Sequence, residues 1–337
     1  MIIHLKSGVD KQGLEKVIAR LESVGIDKER LNIDKGDTYI IGIKGTIKGF
    51  DEDFFKEMVE VDKTIRISDP YKELTTKFHP ERTYIELRNG HIIGKELTII
   101  AGPCAVESYE QLMKTAELVK EAGANCLRGG AYKPRTTHKA FQGLGEKGLE
   151  LLALAREKTG LPIVTEIMEI GDIPLFEKYE VDIYQVGARN SQHFKLLDAL
   201  SEIKKPILLK RGNQLTTEEY LGSAYRIYDQ GNQQVILCER GDKTVDRAYR
   251  NVLNLNNIPY LKNNYHLPII VDPSHGTGIR SLVPPLSYAA IAAGADGLII
   301  ETHCNPENAL CDGPQSVNGE IKEICKKSRE IYNLMYN

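Results

Sequence analysis

Two groups of side chains in this chain have the types and spacing to do chemistry. The first is cationic: Arg128, Lys133, Arg135, Arg189, Lys210, Arg211 and Arg240, three of them followed directly by glycine. Guanidinium forks and ammonium groups gathered on one rim suit a polyanion, most simply one with more than one phosphate or carboxylate. Glycine beside them lets backbone approach such a ligand closely. The second group is Cys104, His275, Glu301 and Asp312. One thiolate, one imidazole and two carboxylates suit a single divalent metal ion with a labile position, and Mn, Fe, Co and Zn are all admissible. The plainer alternatives are arginines paired with surface glutamates, a core thiol at Cys104, and a loop-capping His275. Cys304, Cys311 and His303 stand near the same rim as rival ligands. Glu166 is a candidate for positioning a water, with a salt bridge to a rim arginine as its plain alternative.

These residues act together only if the fold gathers them. Short apolar runs at 98–101, 125–128, 163–165, 183–186, 207–210, 235–238, 269–271 and 297–301 alternate with amphipathic stretches such as 108–121, 148–158, 217–229 and 287–293. Eight such units over residues 97–337 predict an α/β fold, a (β/α)8 or TIM barrel. No glycine-rich dinucleotide turn follows the first run, which argues against a doubly wound sheet. Active sites of such barrels lie at the carboxyl ends of the strands, and both groups fall there. The first and eighth strands of a closed barrel are neighbours, so Cys104, His275, Glu301 and Asp312 can meet.

Residues 1–68 have a different rhythm. Their order β-α-β-β-α-β predicts a small ferredoxin-like unit, with Asp10 capping a helix that runs to about residue 23. A linker and hairpin over 69–96 follow, carrying Pro70 and Pro80 and the hairpin signature Arg88-Asn89-Gly90. Across all 337 residues, 44 basic face 47 acidic side chains, a net charge of -3. That excludes a bulk positive field for nucleic acid. No apolar run approaches the roughly 20 residues that span a bilayer, and the start lacks a signal-peptide pattern. Six scattered cysteines suit a reduced, cytoplasmic setting. The expectation is a cytoplasmic enzyme with no nucleic-acid or membrane partner.

The strand ends carry the segments Ala101-Gly-Pro-Cys, Leu127-Arg-Gly-Gly-Ala-Tyr-Lys-Pro-Arg-Thr, Phe141-Gln-Gly-Leu-Gly, Gly187-Ala-Arg-Asn, Leu208-Leu-Lys-Arg-Gly, Cys238-Glu-Arg-Gly, Asp272-Pro-Ser-His and Asp312-Gly-Pro-Gln-Ser. In these the chain resembles the 3-deoxy-D-arabino-heptulosonate 7-phosphate (DAHP) synthases, most of all the type Iβ branch with an N-terminal ferredoxin-like domain. The resemblance implies a metal-dependent, aldol-like condensation of phosphoenolpyruvate with erythrose 4-phosphate, the first step of the shikimate pathway to aromatic amino acids. It implies that Arg128, Lys133, Arg189, Lys210 and Arg240, with the backbone at Ala188, hold phosphoenolpyruvate. Lys133, Pro134, Arg135 and Thr136 would hold the aldose phosphate, and Cys104, His275, Glu301 and Asp312 the metal. Lys133, Glu166, Cys104 and His275 are then the catalytic candidates.

The resemblance further implies feedback regulation by tyrosine or phenylalanine through residues 1–68, with Asn32, Asp34 and Thr38 as candidate contacts, and a homotetramer. The chain departs from the family pattern at Thr137, where serine is common, at His193, where asparagine is common, and in the loop after His275, which reads Gly276-Thr-Gly-Ile-Arg. None removes a proposed contact. The similar 3-deoxy-manno-octulosonate 8-phosphate synthases, which use arabinose 5-phosphate, typically read Lys-Ala-Asn-Arg-Ser-Ser where this chain has Lys133-Pro-Arg-Thr-Thr. A third reading is a non-catalytic, metabolite-sensing barrel.

Overall fold

Two compact units make up the chain, Met1–Glu81 with Asn264–His266, and Arg82–Asn263 with Leu267–Asn337. The computed structural model describes residues 1–44, 53–65, 70–134, 137 and 139–336. In the first unit, β1 (Ile2–Leu5) leads to α1 (Lys11–Glu22), whose first turn is capped by Asp10 accepting the Gly13 N–H. Leu14, Val17, Ile18 and Leu21 form the buried stripe of α1, the 3.6-residue period expected. Then come β2 (Leu31–Lys35), β3 (Tyr39–Ile43), α2 (Asp53–Lys56) and β4 (Val61–Ile65). The sheet order is β2-β3-β1-β4 with every pair antiparallel. Ile3, Leu5, Ile41, Ile43, Phe55 and Val61 complete its core.

Residues 70–81 pack onto this sheet. The Phe78 ring lies so close to Gly42 that a β-carbon there would come within 2.5 Å of it. Lys72 is buried and donates to the Ile43 carbonyl at 2.7 Å. Asn32 and Asp34 are half-buried on β2, where the Asp34 carboxylate accepts the Lys35 N–H, and Thr38 sits in the turn before β3. Parts of the expected second helix and fourth strand, at 50–52 and 66–67, lie outside the described residues.

In the second unit, hairpin strands β5 (Ile85–Glu86) and β6 (Ile92–Ile93) plug the end at which the barrel strands begin. Arg88 pairs with Asp182 and His91 meets the Thr98 hydroxyl, both at strand starts. The barrel strands are β7 (Thr98–Gly102), β8 (Cys126–Arg128), β9 (Ile163–Ile167), β10 (Ile183–Val186), β11 (Ile207–Lys210), β12 (Val235–Glu239), β13 (Ile269–Val271) and β14 (Gly297–Glu301). Among the described residues they form one closed parallel barrel. Its interior takes a side chain from every strand, including Ile100, Cys126, Val164, Ile183, Leu208, Ile236, Ile270 and Ile299. Burial on both faces is why these strands read as unbroken apolar runs.

The surrounding helices are α3 (Tyr109–Glu121), α4 (Glu146–Thr159), α5 (Ile173–Lys178), α6 (Phe194–Ser201), α7 (Thr217–Asp229), α8 (Asn257–Asn264), α9 (Pro273–Thr277), α10 (Val283–Ala292) and α11 (Glu320–Tyr336). Ser108 caps α3, and Thr216 with Glu219 forms a capping box on α7. Helix α10 starts four residues earlier than its periodicity suggests, because prolines fit the first helical turn, where no N–H is needed. No helix among the described residues is long and apolar enough to cross a membrane.

Candidate active site

A cavity of about 440 Å³ opens where the barrel strands end. Arg128 and Lys210, the last residues of β8 and β11, and Arg240, just beyond β12, are buried in its wall. Lys133, Pro134, Ala188 and Arg189 line it from the loops after β8 and β10. Arg189 donates to the Pro134 carbonyl at 2.8 Å, tying those two loops together. The Arg128 Nε has no hydrogen-bond partner among the described residues, and burial holds the Arg240 guanidinium below its usual value. Arg128 faces Glu301 at 3.4 Å and Lys210 faces Asp272 at 2.5 Å, yet the guanidinium nitrogens left without a hydrogen bond and the further cations on the same wall make it a receptor for an anion. Lys133 donates to the Cys104 carbonyl at 2.9 Å and to its sulfur at 3.1 Å. Burial pushes its ammonium down to about 8, within reach of proton transfer near neutrality.

The donor set adjoins these cations, with Lys133 Nζ 3.1 Å from the Cys104 sulfur and Arg128 Nη1 3.4 Å from Glu301 Oε1. His275 Nε2 lies 3.3 Å from Glu301 Oε1 and 3.9 Å from Asp312 Oδ2, and the Cys104 sulfur lies 3.4 Å from that same Asp312 oxygen. Closure of the barrel does this: β14 pairs with β7, setting Glu301 opposite Gly102, two residues before Cys104. A β-carbon on Gly102 would lie 2.0 Å from the Arg128 carbonyl, so only glycine lets these strand ends converge. Asp312 itself adopts the left-handed conformation, φ 49°, which aspartate tolerates better than most residues.

The orientation of His275 is set by Asp272. One carboxylate oxygen takes the His275 backbone N–H at 2.9 Å, and the other faces Nδ1 at 2.7 Å and Lys210 Nζ at 2.5 Å. Burial opposes ionisation of Asp272, yet His275 and Lys210 together hold its carboxyl well below the usual range. With Nδ1–H donating to Asp272, Nε2 turns its lone pair toward Glu301 and Asp312, and burial holds the imidazole neutral. Glu301 Oε1 is buried with no hydrogen-bond partner among the described residues. Its cationic neighbour is Arg128 Nη1 at 3.4 Å, and a carboxylate oxygen without a hydrogen bond beside an imidazole lone pair and a second carboxylate fits a cation among them. His275, Glu301 and Asp312 form one group that suits a divalent metal ion, and Asp312 links it to Cys104.

Residues 81–334 match the sequence pattern of the DAHP synthetase I family. The chain belongs to that family. It is 46% identical over 333 residues to the phospho-2-dehydro-3-deoxyheptonate aldolase of Thermotoga maritima, covering 98% of this chain and 97% of the relative. The crystal structure of a Thermotoga maritima phospho-2-dehydro-3-deoxyheptonate aldolase (DAHP synthase) superposes with a TM-score of 0.77 over 99% of this chain and 97% of that one. A 2-dehydro-3-deoxyphosphooctonate aldolase of Legionella pneumophila is 31% identical, covering 71% of this chain and 94% of the relative.

Within this family member, one expected rim cation is elsewhere. Arg211 is buried and holds both Glu239 oxygens, at 2.8 and 2.9 Å, and Asp242 at 2.5 Å. Neighbouring residues at a strand end face opposite sides, so Lys210 enters the cavity and Arg211 braces the barrel wall. Arg135 and Thr136 lie outside the described residues. Glu166 lines the cavity, accepts from Gln185 at 3.3 Å, and has no arginine within ion-pair distance among the described residues. Of the rival thiols, Cys304 turns to the Gln111 carbonyl at 3.7 Å, whereas Cys311 is joined to Cys104 as a disulfide, with Cα atoms 6.0 Å apart, against the expectation that all six cysteines are reduced. His303 instead pairs with Glu107 at 3.4 Å.

The structure adds residues that sequence reasoning passed over. Asp272 was visible only as part of a motif. Asn213, Lys243, Arg250 and Asn251 also line the cavity, from the loops after β11 and β12. Their one signal is position beyond a strand end, which loop length blurs.

Proposed function

We propose that this chain is a DAHP synthase, joining phosphoenolpyruvate to erythrose 4-phosphate and releasing inorganic phosphate. The observation that carries this reading is the contact between the two groups beside one cavity: Lys133 lies 3.1 Å from the Cys104 sulfur and Arg128 3.4 Å from Glu301, while His275 and Asp312 line the cavity with the cations. Its 46% identity to the Thermotoga maritima enzyme over nearly the whole chain supports the same reaction. Arg128, Lys210, Arg240, Arg189 and Lys133, with the Ala188 backbone, hold the phosphate and carboxylate of phosphoenolpyruvate. Lys133, Pro134, Arg135 and Thr136 hold the aldose phosphate. The four donors hold one divalent ion, Mn, Fe, Co or Zn, with Cys104 reduced and parted from Cys311. When bound, the ion supplies Lewis-acid polarisation of the aldehyde oxygen.

The chain's own residues then do the rest. The cationic wall orients C3 of phosphoenolpyruvate toward the aldehyde carbon; alignment of two bound reactants is worth on the order of 7 kcal/mol. As the new C–C bond forms, positive charge develops at C2, and water held by Glu166 adds there, giving one proton to the Glu166 carboxylate. Lys133 donates a proton to the alkoxide formed from the aldehyde. The tetrahedral centre at C2 then expels phosphate into the same cationic wall.

Residues 1–68 form an effector module in this reading, with Asn32, Asp34 and Thr38 as contacts for tyrosine or phenylalanine, and the enzyme is a cytoplasmic homotetramer. The test is phosphate release from phosphoenolpyruvate with erythrose 4-phosphate or arabinose 5-phosphate, each with and without EDTA. EDTA-sensitive turnover preferring erythrose 4-phosphate supports the proposal. Preference for arabinose 5-phosphate overturns the substrate, and silence with both overturns the enzyme reading. Deleting residues 1–68 should leave turnover and abolish inhibition by the aromatic amino acid.

A further inference from the structure

The motif Asp312-Gly-Pro-Gln-Ser holds one residue to which the reaction above gives no role. Gln315 is 3% exposed and sits in the turn Gly313–Gln315, directly after Asp312. Its Nε2 donates to Glu301 Oε2 at 2.5 Å, and its Oε1 accepts from Arg250 Nη1 at 3.0 Å. The amide can face only this way, because a carboxylate only accepts and a guanidinium only donates. The same Arg250 nitrogen lies 3.7 Å from Asp312 Oδ1. One neutral carboxamide thus links the two carboxylates of the donor set, one directly and one through a cation.

The consequence for Glu301 is asymmetry. Oε2 is committed to Gln315 by a hydrogen bond, while Oε1 makes none among the described residues and faces His275 Nε2 at 3.3 Å and Arg128 Nη1 at 3.4 Å. A buried carboxylate free to rotate could offer either oxygen, or both, to a cation. We infer that Gln315 is a positioning residue: by holding Oε2 it presents Oε1 alone to the divalent ion, and through Arg250 it keeps Asp312 in the same frame. This rests on the metal reading above. A glutamine that merely filled the core would have no reason to influence the ion.

The experiment is a titration of the full-length, metal-stripped, reduced protein with Co²⁺ alone, reading the cobalt d–d and thiolate-to-cobalt absorption. Wild type should bind one equivalent with a thiolate band. Gln315→Met keeps the volume and removes the donor; it should bind cobalt about 10–100-fold more weakly, the usual cost of losing an outer partner of a ligand. Its d–d spectrum should shift as Glu301 becomes free to turn, while the thiolate band from Cys104 persists. In steady state, KM for phosphoenolpyruvate should stay within about twofold while the cobalt concentration for half-maximal rate rises. Wild-type affinity and spectrum in Gln315→Met overturn the inference. If that variant does not fold, Arg250→Met takes its place: a shifted d–d spectrum supports the link and an unchanged one overturns it. No cobalt uptake by wild type overturns the metal reading itself, a result distinct from uptake that Gln315 does not influence.

Discussion

Asp272→Asn is the substitution whose cost can be worked most fully from the structure. The carboxylate is buried and serves Lys210 at 2.5 Å and the His275 ring at 2.7 Å. Asparagine keeps the shape and removes the charge, so Lys210, 5% exposed, is left as a buried cation without its partner. Breaking a buried pair by removing one member costs about 3–5 kcal/mol. Neither group is exposed enough for solvent screening to reduce that figure appreciably. At about 2–4 °C per kcal/mol for a domain of this size, the melting temperature of the free protein should fall by roughly 6–20 °C.

The same change frees the His275 tautomer, which should weaken metal binding about 10–100-fold. A ligand should partly reverse the first effect and not the second. If Lys210 holds phosphoenolpyruvate as proposed, the bound anion lies beside it and the gap in melting temperature between variant and wild type should narrow when the ligand is added. Calorimetry with and without phosphoenolpyruvate, alongside a metal titration, reads both. Melting within about 2 °C of wild type, together with unchanged metal affinity, would refute the role assigned to Asp272.

Gly187→Ala would place a β-carbon 1.9 Å from Glu166 Oε1, so Glu166 must move. If Glu166 holds the attacking water, kcat should fall by about 10²-fold or more with KM for phosphoenolpyruvate little changed; wild-type kcat would remove Glu166 from the mechanism. Arg211→Met strands Glu239 in the wall and should cost about 3–5 kcal/mol in urea unfolding, with KM for phosphoenolpyruvate within about twofold of wild type. Arg240→Met should do the reverse, raising that KM by about tenfold or more with a smaller loss of stability; similar kinetic effects from both variants would contradict the separation of wall and cavity drawn here.

Much of the fold was legible because its signals are local. Strands buried on both faces must be apolar throughout, and Asp10 and Ser108 must lie just ahead of the helices they cap. Helices α5 and α6 were not legible; each is short, and α5 buries Phe176 alone among its side chains, too little for a period to emerge. The site divides the same way. Residue types at successive strand ends pointed to an anion wall and a metal-type donor set; the described cations, Arg211 excepted, line one cavity with His275 and Asp312, and Asp312 groups with Cys104 on one side and with His275 and Glu301 on the other.

By itself the sequence determined the barrel, its strand order, and the two kinds of chemistry at its rim, because periodicity and donor type are properties of neighbouring residues. Tertiary structure alone decided which of two adjacent cations, Lys210 and Arg211, faces the cavity, since that depends on which side of the barrel wall each leaves the strand. It alone chose Cys311 over Cys304 as the thiol beside Cys104, 207 residues away along the chain. It alone turned Asp272 and Gln315 from motif letters into partners of His275 and Glu301. Hydrogen bonds act over about 3 Å in space, and nothing in the linear order says which side chains barrel closure will bring that close.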